Sequence, residues 1–210
     1  MDKTVKALLS EAGRTYAEDA GIGLKDQPAP LFKLLVLTNL LSTRISAGIA
    51  VAAARELIEA GGGTARGLAR LTWQERVDAL GRAHYVRYDE STSTRLGDMA
   101  ERVMDDYEGD LRKLPPKAGR DARTVRKILQ EFPGIGPVGA DIFCREVQAV
   151  WLWLRPTFDA LALKGAERLG LPADPERLAE LVGERELARL AAALVRVARD
   201  KKLADRLVRE

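Results

Sequence analysis

The residues best suited to chemistry lie in one run, Ile128-Leu129-Gln130-Glu131-Phe132-Pro133-Gly134-Ile135-Gly136-Pro137-Val138-Gly139-Ala140. A helix that ends in Pro-Gly-apolar-Gly and restarts at once reads as a hairpin between two helices. Each glycine admits backbone angles or close approaches that a Cβ would block. The first amides of the second helix have no acceptor within it, and together with the helix dipole they form an anion site. A DNA phosphate fits such a site without any base being read. The residues nominated for that contact are Pro133, Gly134, Ile135, Gly136, Pro137 and Gly139, with Ile135 also placed to anchor the turn in the core. The plain alternative is a tight connection between two core helices. One helix downstream stands an acid, Asp159, whose plain reading is the N-cap of the segment that follows it.

Charge points toward the same turn. The chain carries a net +3 over 210 residues, which alone says little. Its distribution says more: residues 111–130 hold Arg112, Lys113, Lys117, Arg120, Arg123, Arg126 and Lys127 against the single acid Asp121. This basic block runs directly into the hairpin and suits a phosphate backbone, with Arg126 and Lys127 nearest the turn. A solvated helix face is the competing reading.

Much other chemistry is excluded by composition. The chain has one cysteine, Cys144, and one histidine, His84. A disulfide needs two thiols, and structural zinc or iron–sulfur sites need several ligands, so neither metal nor cofactor is expected, with carboxylate-bound magnesium the one alternative left open. A Ser-His-Asp triad has only His84 to draw on. The longest apolar stretch, residues 31–41, is interrupted by Lys33, Thr38 and Asn39 and is too short to span a bilayer, so it reads as a buried helix with no membrane role. The start, Met1-Asp2-Lys3, lacks the pattern of a signal peptide, and a cytoplasmic location is expected, nucleoid-associated if the source is bacterial.

The elements that must hold these residues read as helices throughout. Apolar residues make up 46% of the chain and aromatics only 5%, with Ala, Leu, Arg and Glu dominant, which favours helix over sheet. The pattern predicts helices over residues 4–20, 31–45, 46–60, 72–80, 93–107, 121–132, 138–150 and 159–169, then two covering 175–210. Residues 21–30 read as a linker, Gly61-Gly62-Gly63 as a stop, and Leu114-Pro115-Pro116 as a break. Ser46 is a candidate N-cap, and Thr72 with Glu75 fits a capping box. Residues 151–157 read as irregular, and no strand or internal repeat is evident.

With these residues in view, the chain resembles the helix-hairpin-helix DNA glycosylase superfamily, especially its endonuclease III-like and adenine-mismatch members. The resemblance rests on Phe132-Pro133-Gly134-Ile135-Gly136, on Pro156-Thr157-Phe158-Asp159, and on Glu167-Arg168-Leu169-Gly170-Leu171. Residues 34–43, a hydrophobic helix ending Leu-Leu-Ser-Thr, and the aromatic Tyr88 add to it, so that it spans roughly residues 29–171. It implies an all-α fold of two helical subdomains, residues 28–150 holding the hairpin and residues 1–27 joined to 151–210, with double-stranded DNA in the cleft between them. A monomer is expected. It also implies that Asp159 is the catalytic carboxylate. Cleaving a glycosidic bond builds positive charge on the sugar, which a carboxylate stabilises while orienting water, once the base has left the stack.

The departures narrow the expected activity. Bifunctional members carry a lysine two residues after the second hairpin glycine, where this chain has Val138. Valine forms no Schiff base, so hydrolysis without strand cleavage is expected. The four-cysteine iron–sulfur loop is absent. Where the family often has Gln after Leu-Ser-Thr, this chain has Arg44, which enters the base pocket, contacts a phosphate or pairs with an acid. Tyr88 is the other candidate for the base pocket, and His84 is a further candidate to line the DNA site. Lys164, Asp141, Trp151 and Trp153 have structural readings first. Excision of a damaged or mismatched base is the leading expectation. The alternatives are a catalytically silent helix-hairpin-helix DNA-binding protein, and a helical scaffold that binds no DNA.

Overall fold

The structure, a computed structural model, describes residues 3–209, so the Met1-Asp2 start and Glu210 lie outside the described residues. The described residues are helical, with no strand among them. In chain order the helices are α1 (Lys3–Ala12), α2 (Tyr16–Asp19), α3 (Pro28–Leu41), α4 (Ala47–Leu57), α5 (Ala65–Arg70), α6 (Trp73–Arg82) and α7 (Asp89–Tyr107). They continue as α8 (Leu114–Lys117), α9 (Ala122–Leu129), α10 (Pro137–Val147), α11 (Ala160–Arg168), α12 (Pro175–Ala179), α13 (Leu187–Arg199) and α14 (Lys201–Arg209). None of these helices is long and apolar enough to cross a membrane.

The chain divides into two compact units. One is Ala17–Phe143, and the other joins the chain up to Tyr16 to the chain from Cys144. In the first, α3 is the spine. Every residue from Leu34 to Leu41 is buried, polar Thr38 and Asn39 included, and α4 and α7 pack against the helix. Helix α6 packs on α4 and α7, and α5 on α7. In the second unit α13 is the spine, buried from Leu190 to Val195, with α1, α11 and α14 packed on it.

Local chemistry sets most helix starts as expected. Ser46 accepts from the Ile49 amide at 3.3 Å, and Thr72 and Glu75 close a full capping box. Other boundaries differ from expectation. The first predicted helix breaks at Gly13, where a Cβ would come 2.2 Å from the Leu9 carbonyl oxygen, so the chain turns there and restarts as α2. Helix α3 begins at Pro28, inside the predicted linker, because proline at the first helical positions gives up no intrahelical bond. For the same reason Leu114-Pro115-Pro116 continues as the helical turn α8 rather than breaking the chain. Helix α4 stops at Leu57, and a wider turn over Ile58–Gly62 takes up the positive φ of 104° at Gly61. The last segment holds three helices where two were predicted. Asp200 caps α14 one residue after α13 ends, accepting from the Lys202 and Leu203 amides. Residues 151–157 form a short 3₁₀ turn, Leu152–Leu154, followed by a cis Arg155–Pro156 bond.

Two buried contacts lie beyond reach of any helical pattern. Arg76 is 8% exposed and donates to the carbonyls of Ser93 at 3.0 Å and Leu71 at 2.5 Å, its guanidinium lying over Gly97. Burial pushes its pKa below the usual arginine value, an effect opposed by the charges of Asp98, Glu101 and Glu75. In the other unit α11 meets α13 at Gly165, where a Cβ would stand 1.9 Å from the Leu194 carbonyl oxygen. Gly165→Ala therefore forces two backbones apart and should cost about 1–3 kcal/mol or more, a fall in Tm of several degrees. Gly81→Ala, on α6 with nothing within 4 Å of the new methyl, should instead stabilise by roughly 0.5–1 kcal/mol. Thermal melts of the two variants check both signs.

Candidate functional site

The hairpin forms between α9 and α10, and its shape is imposed from below by α3. Gly134 has φ +83°, and a Cβ there would stand 2.5 Å from the Asn39 amide nitrogen. That nitrogen donates to the Pro133 carbonyl at 2.8 Å. Three residues further along α3, Ser42 Oγ lies where it would be 2.6 Å from a Cβ on Gly139. The turn is therefore seated on two polar side chains of α3 by glycines that leave room for them. Phe132 and Ile135 are buried beneath it at 2% and 3% exposure, and the Ile135 amide closes the turn on the Phe132 carbonyl at 3.0 Å.

The upper side of the turn is open. Gly136, Pro137 and Val138 are exposed, and a Cβ on Gly136 would meet nothing within 4 Å. The first intrahelical bond of α10 runs from the Ala140 amide to the Gly136 carbonyl at 2.9 Å. The amides of Val138 and Gly139 precede it and have no acceptor within the helix. Gly139 itself is buried against Ser42 and Ile135. Gly134, Gly136 and Gly139 thus have three distinct roles: a left-handed bend, an open rim and a close approach.

The basic block is sorted by its partners. Arg126 donates to the Asp141 carboxylate at 3.0 Å and so braces α9 to α10. Arg112 pairs with Asp110 at 2.7 Å, Lys113 with Glu108 at 2.7 Å, and the Lys117 ammonium lies 4.9 Å from the centroid of the Tyr107 ring. Lys127 is exposed. Asp121 is the N-cap of α9. Hydrogen bonds from the Thr124 hydroxyl and amide, both at 2.7 Å, hold its carboxyl below the usual aspartate range.

Asp159 belongs to the other unit and is the N-cap of α11. Its Oδ1 accepts from the Ala162 amide at 2.9 Å. Its Oδ2 accepts from Arg145 Nη1, an ion pair whose two side chains are only 3% and 7% exposed. The Arg145 guanidinium also lies over the ring of Tyr16, which takes Arg196 at 4.5 Å from its centroid. Glu146, fully buried, brings its Oε1 to 4.0 Å from Arg145 Nε. Both carboxylate oxygens of Asp159 are thus engaged, one by a helix terminus and one by a cation. Sequence reasoning missed Arg145, Glu146 and Tyr16, since nothing in their spacing sets them apart. Asn39 and Ser42 carried a signal, because they are polar residues in or at the end of an apolar helix.

The remaining candidates are dispersed. Arg44, two residues past Ser42, is exposed and makes no ion pair among the described residues, so it does not pair with an acid. Tyr88 is half-buried at the N-cap position of α7, with the Arg87 guanidinium 5.2 Å from its ring centroid. His84 is exposed with φ +60°, and Lys164 is exposed on α11. Trp151 is buried and stacks with Trp153 at 6.0 Å between centroids. Among the described residues no group of three or more His, Cys, Asp or Glu side chains is gathered to hold a metal. Cys144 is buried on α10, and a cluster held by several thiolates finds no donor set in these 210 residues.

The fold can now be set beside known proteins. No family model matches the chain, and no curated protein matches it. Among solved structures, a non-covalent endonuclease III–DNA complex aligns over 91% of this chain and 79% of its own. The TM-score is 0.54 and the sequence identity 15%. A trapped covalent endonuclease III–DNA intermediate, an estranged-adenine complex, aligns over 93% and 85% at 16% identity, with a TM-score of 0.49. The likeness to the non-covalent complex shows a shared all-α fold.

The Arg145–Asp159 pair predicts a coupled stability effect. Asp159→Ala removes the cap of α11 and leaves a buried guanidinium without its carboxylate, at a cost of about 3 kcal/mol or more. Arg145→Met with Asp159→Ala should recover part of that loss. A double-mutant cycle in denaturant should therefore give a coupling above about 1 kcal/mol, and an additive result would mean that the contact carries no energy.

Proposed function

We propose that this protein binds double-stranded DNA through the hairpin and releases a damaged or mismatched base by hydrolysing its N-glycosidic bond. One observation carries the DNA-binding part. The turn is locked from below by Asn39 and Ser42 while Gly136, Pro137 and Val138 stay exposed beside the unpaired first amides of α10. A rigid helix start whose free Val138 amide belongs to an exposed residue suits a phosphate oxygen, since nothing need be reorganised when the anion arrives. The sequence resemblance to helix-hairpin-helix glycosylases supplies base excision as the chemistry, and the all-α fold shared with an endonuclease III–DNA complex agrees with it. In this reading Asp159 stabilises the sugar cation and orients water. Val138 offers no amine, so the strand is not nicked.

A second reading follows from the occupancy of Asp159. A guanidinium on one oxygen offsets the negative charge that a sugar cation needs, and the other oxygen is committed to α11. A protein built this way binds DNA and leaves bases in place.

Two measurements separate these readings. Gly136→Val fills open space and should keep the melting temperature while weakening duplex binding markedly; full binding by this variant would remove the hairpin from the interface. The second uses duplexes carrying uracil, thymine opposite guanine, an oxidised purine or an alkylated base. The wild-type protein should convert at least one to an abasic site without strand cleavage, and Asp159→Asn should lower that rate by about 100-fold or more. Binding without release on any of them establishes the silent reading instead.

A further inference from the structure

The partner assignments within the basic block leave a remainder. Arg126, Arg112, Lys113 and Lys117 are each engaged by an acid or a ring of the protein. Arg120, Arg123 and Lys127 are exposed and make no ion pair among the described residues. The acids nearest to them in sequence are occupied elsewhere. Asp121 turns its Oδ2 to Thr124, although the charge of Arg123 also acts on it, and Glu131 is held by Arg102 through both its carbonyl, at 2.7 Å, and its carboxylate, at 2.8 Å.

Helical geometry places two of these cations together. Val125 and Leu129 are the buried residues of α9, and Arg126 turns sideways to Asp141. At about 100° per residue, Arg123 and Lys127 fall on the face opposite that buried pair. They are separated along the axis by about 6 Å. Arg120 precedes them in the turn before Asp121, where its φ of +51° and a 2.8 Å bond from its amide to the Pro115 carbonyl fix the backbone.

We propose that Arg120, Arg123 and Lys127 form a phosphate track along the outer face of α9, a second line of DNA contact beyond the hairpin turn, and that Arg126 is a brace between the hairpin helices instead of a contact. The proposal rests on the reading of the protein as a DNA binder. An ion pair at the surface is worth little, but a cation held in no ion pair keeps most of its attraction for a polyanion and releases a counterion when it docks. The block therefore divides by function: four of its cations serve the fold and three serve the ligand.

The test is the salt dependence of binding to a short undamaged duplex. The triple variant Arg120→Gln, Arg123→Gln, Lys127→Gln should melt close to wild type, since it breaks no ion pair and removes only the exposed attraction between Arg123 and Asp121. Its plot of log affinity against log salt should be shallower by about 2–3, close to 0.9 for each phosphate lost. Arg126→Gln should lower the melting temperature and leave the slope unchanged. If the triple variant keeps the wild-type slope while Gly136→Val still weakens binding, the track is overturned and the hairpin reading survives. If Arg126→Gln flattens the slope as much as a track residue does, the division within the block is wrong. If the wild-type protein binds no duplex at about 50 mM salt, both the track and the DNA-binding reading fail together.

Discussion

Within the unit that carries the hairpin, the arrangement depends on how α3 satisfies its polar groups. The helix is buried along nearly its whole length, so Asn39 has no access to water. A buried amide must find partners or cost a few kcal/mol. Asn39 finds one in the Pro133 carbonyl, 94 positions later in the chain. That bond fixes where the hairpin turn lies, and Gly134 must then be glycine, because its left-handed backbone brings it against the same side chain. Ser42 does similar work one turn further on, bonding the Thr38 carbonyl at 2.6 Å and lying against Gly139. The exposed rim of the turn is a consequence: a loop held this firmly on its inner side presents its outer amides without needing the ligand to order them.

The second unit solves a different problem. A guanidinium and a carboxylate taken out of water lose hydration that their attraction only partly restores, so a buried pair is retained where it has a further role. The Arg145–Asp159 pair has one visible role, in that it ties α10 to the start of α11 while Asp159 caps that helix. Tyr16 extends the arrangement, its ring taking both Arg145 and Arg196, and Arg196 joins α1 and α13 by bonding the Ala12 carbonyl at 3.0 Å. A residue that caps a helix and anchors a buried cation is under two constraints at once, and its charge is shared between them.

The basic block shows why charge counts along a sequence overstate a binding surface. Seven cations against one acid reads as a strongly positive segment. In the fold, Glu108, Asp110 and Asp141, none within the block, come to neutralise three of them. What is left exposed and in no ion pair is a shorter set of side chains, Arg123 and Lys127 on α9 and Arg120 in the turn before it.

Several features were legible in the sequence by itself. The all-α class, the capping box at Thr72, the hairpin at Pro133–Gly136 and the anchoring of Ile135 all follow from rules that act within a few residues. Helix propensity, capping and glycine backbone freedom are local, and a linear pattern records them. The breaks at Gly13 and after Arg199, the helical turn through Pro115 and Pro116, and the partners of Asp159 and Arg126 were decided only by tertiary structure. The division into units falls inside α10, between Phe143 and Cys144, where the helix continues without a shift in composition. Each of these depends on which distant groups arrive beside one another. Burial energies and ion pairs are set by that proximity, which no spacing along the chain encodes.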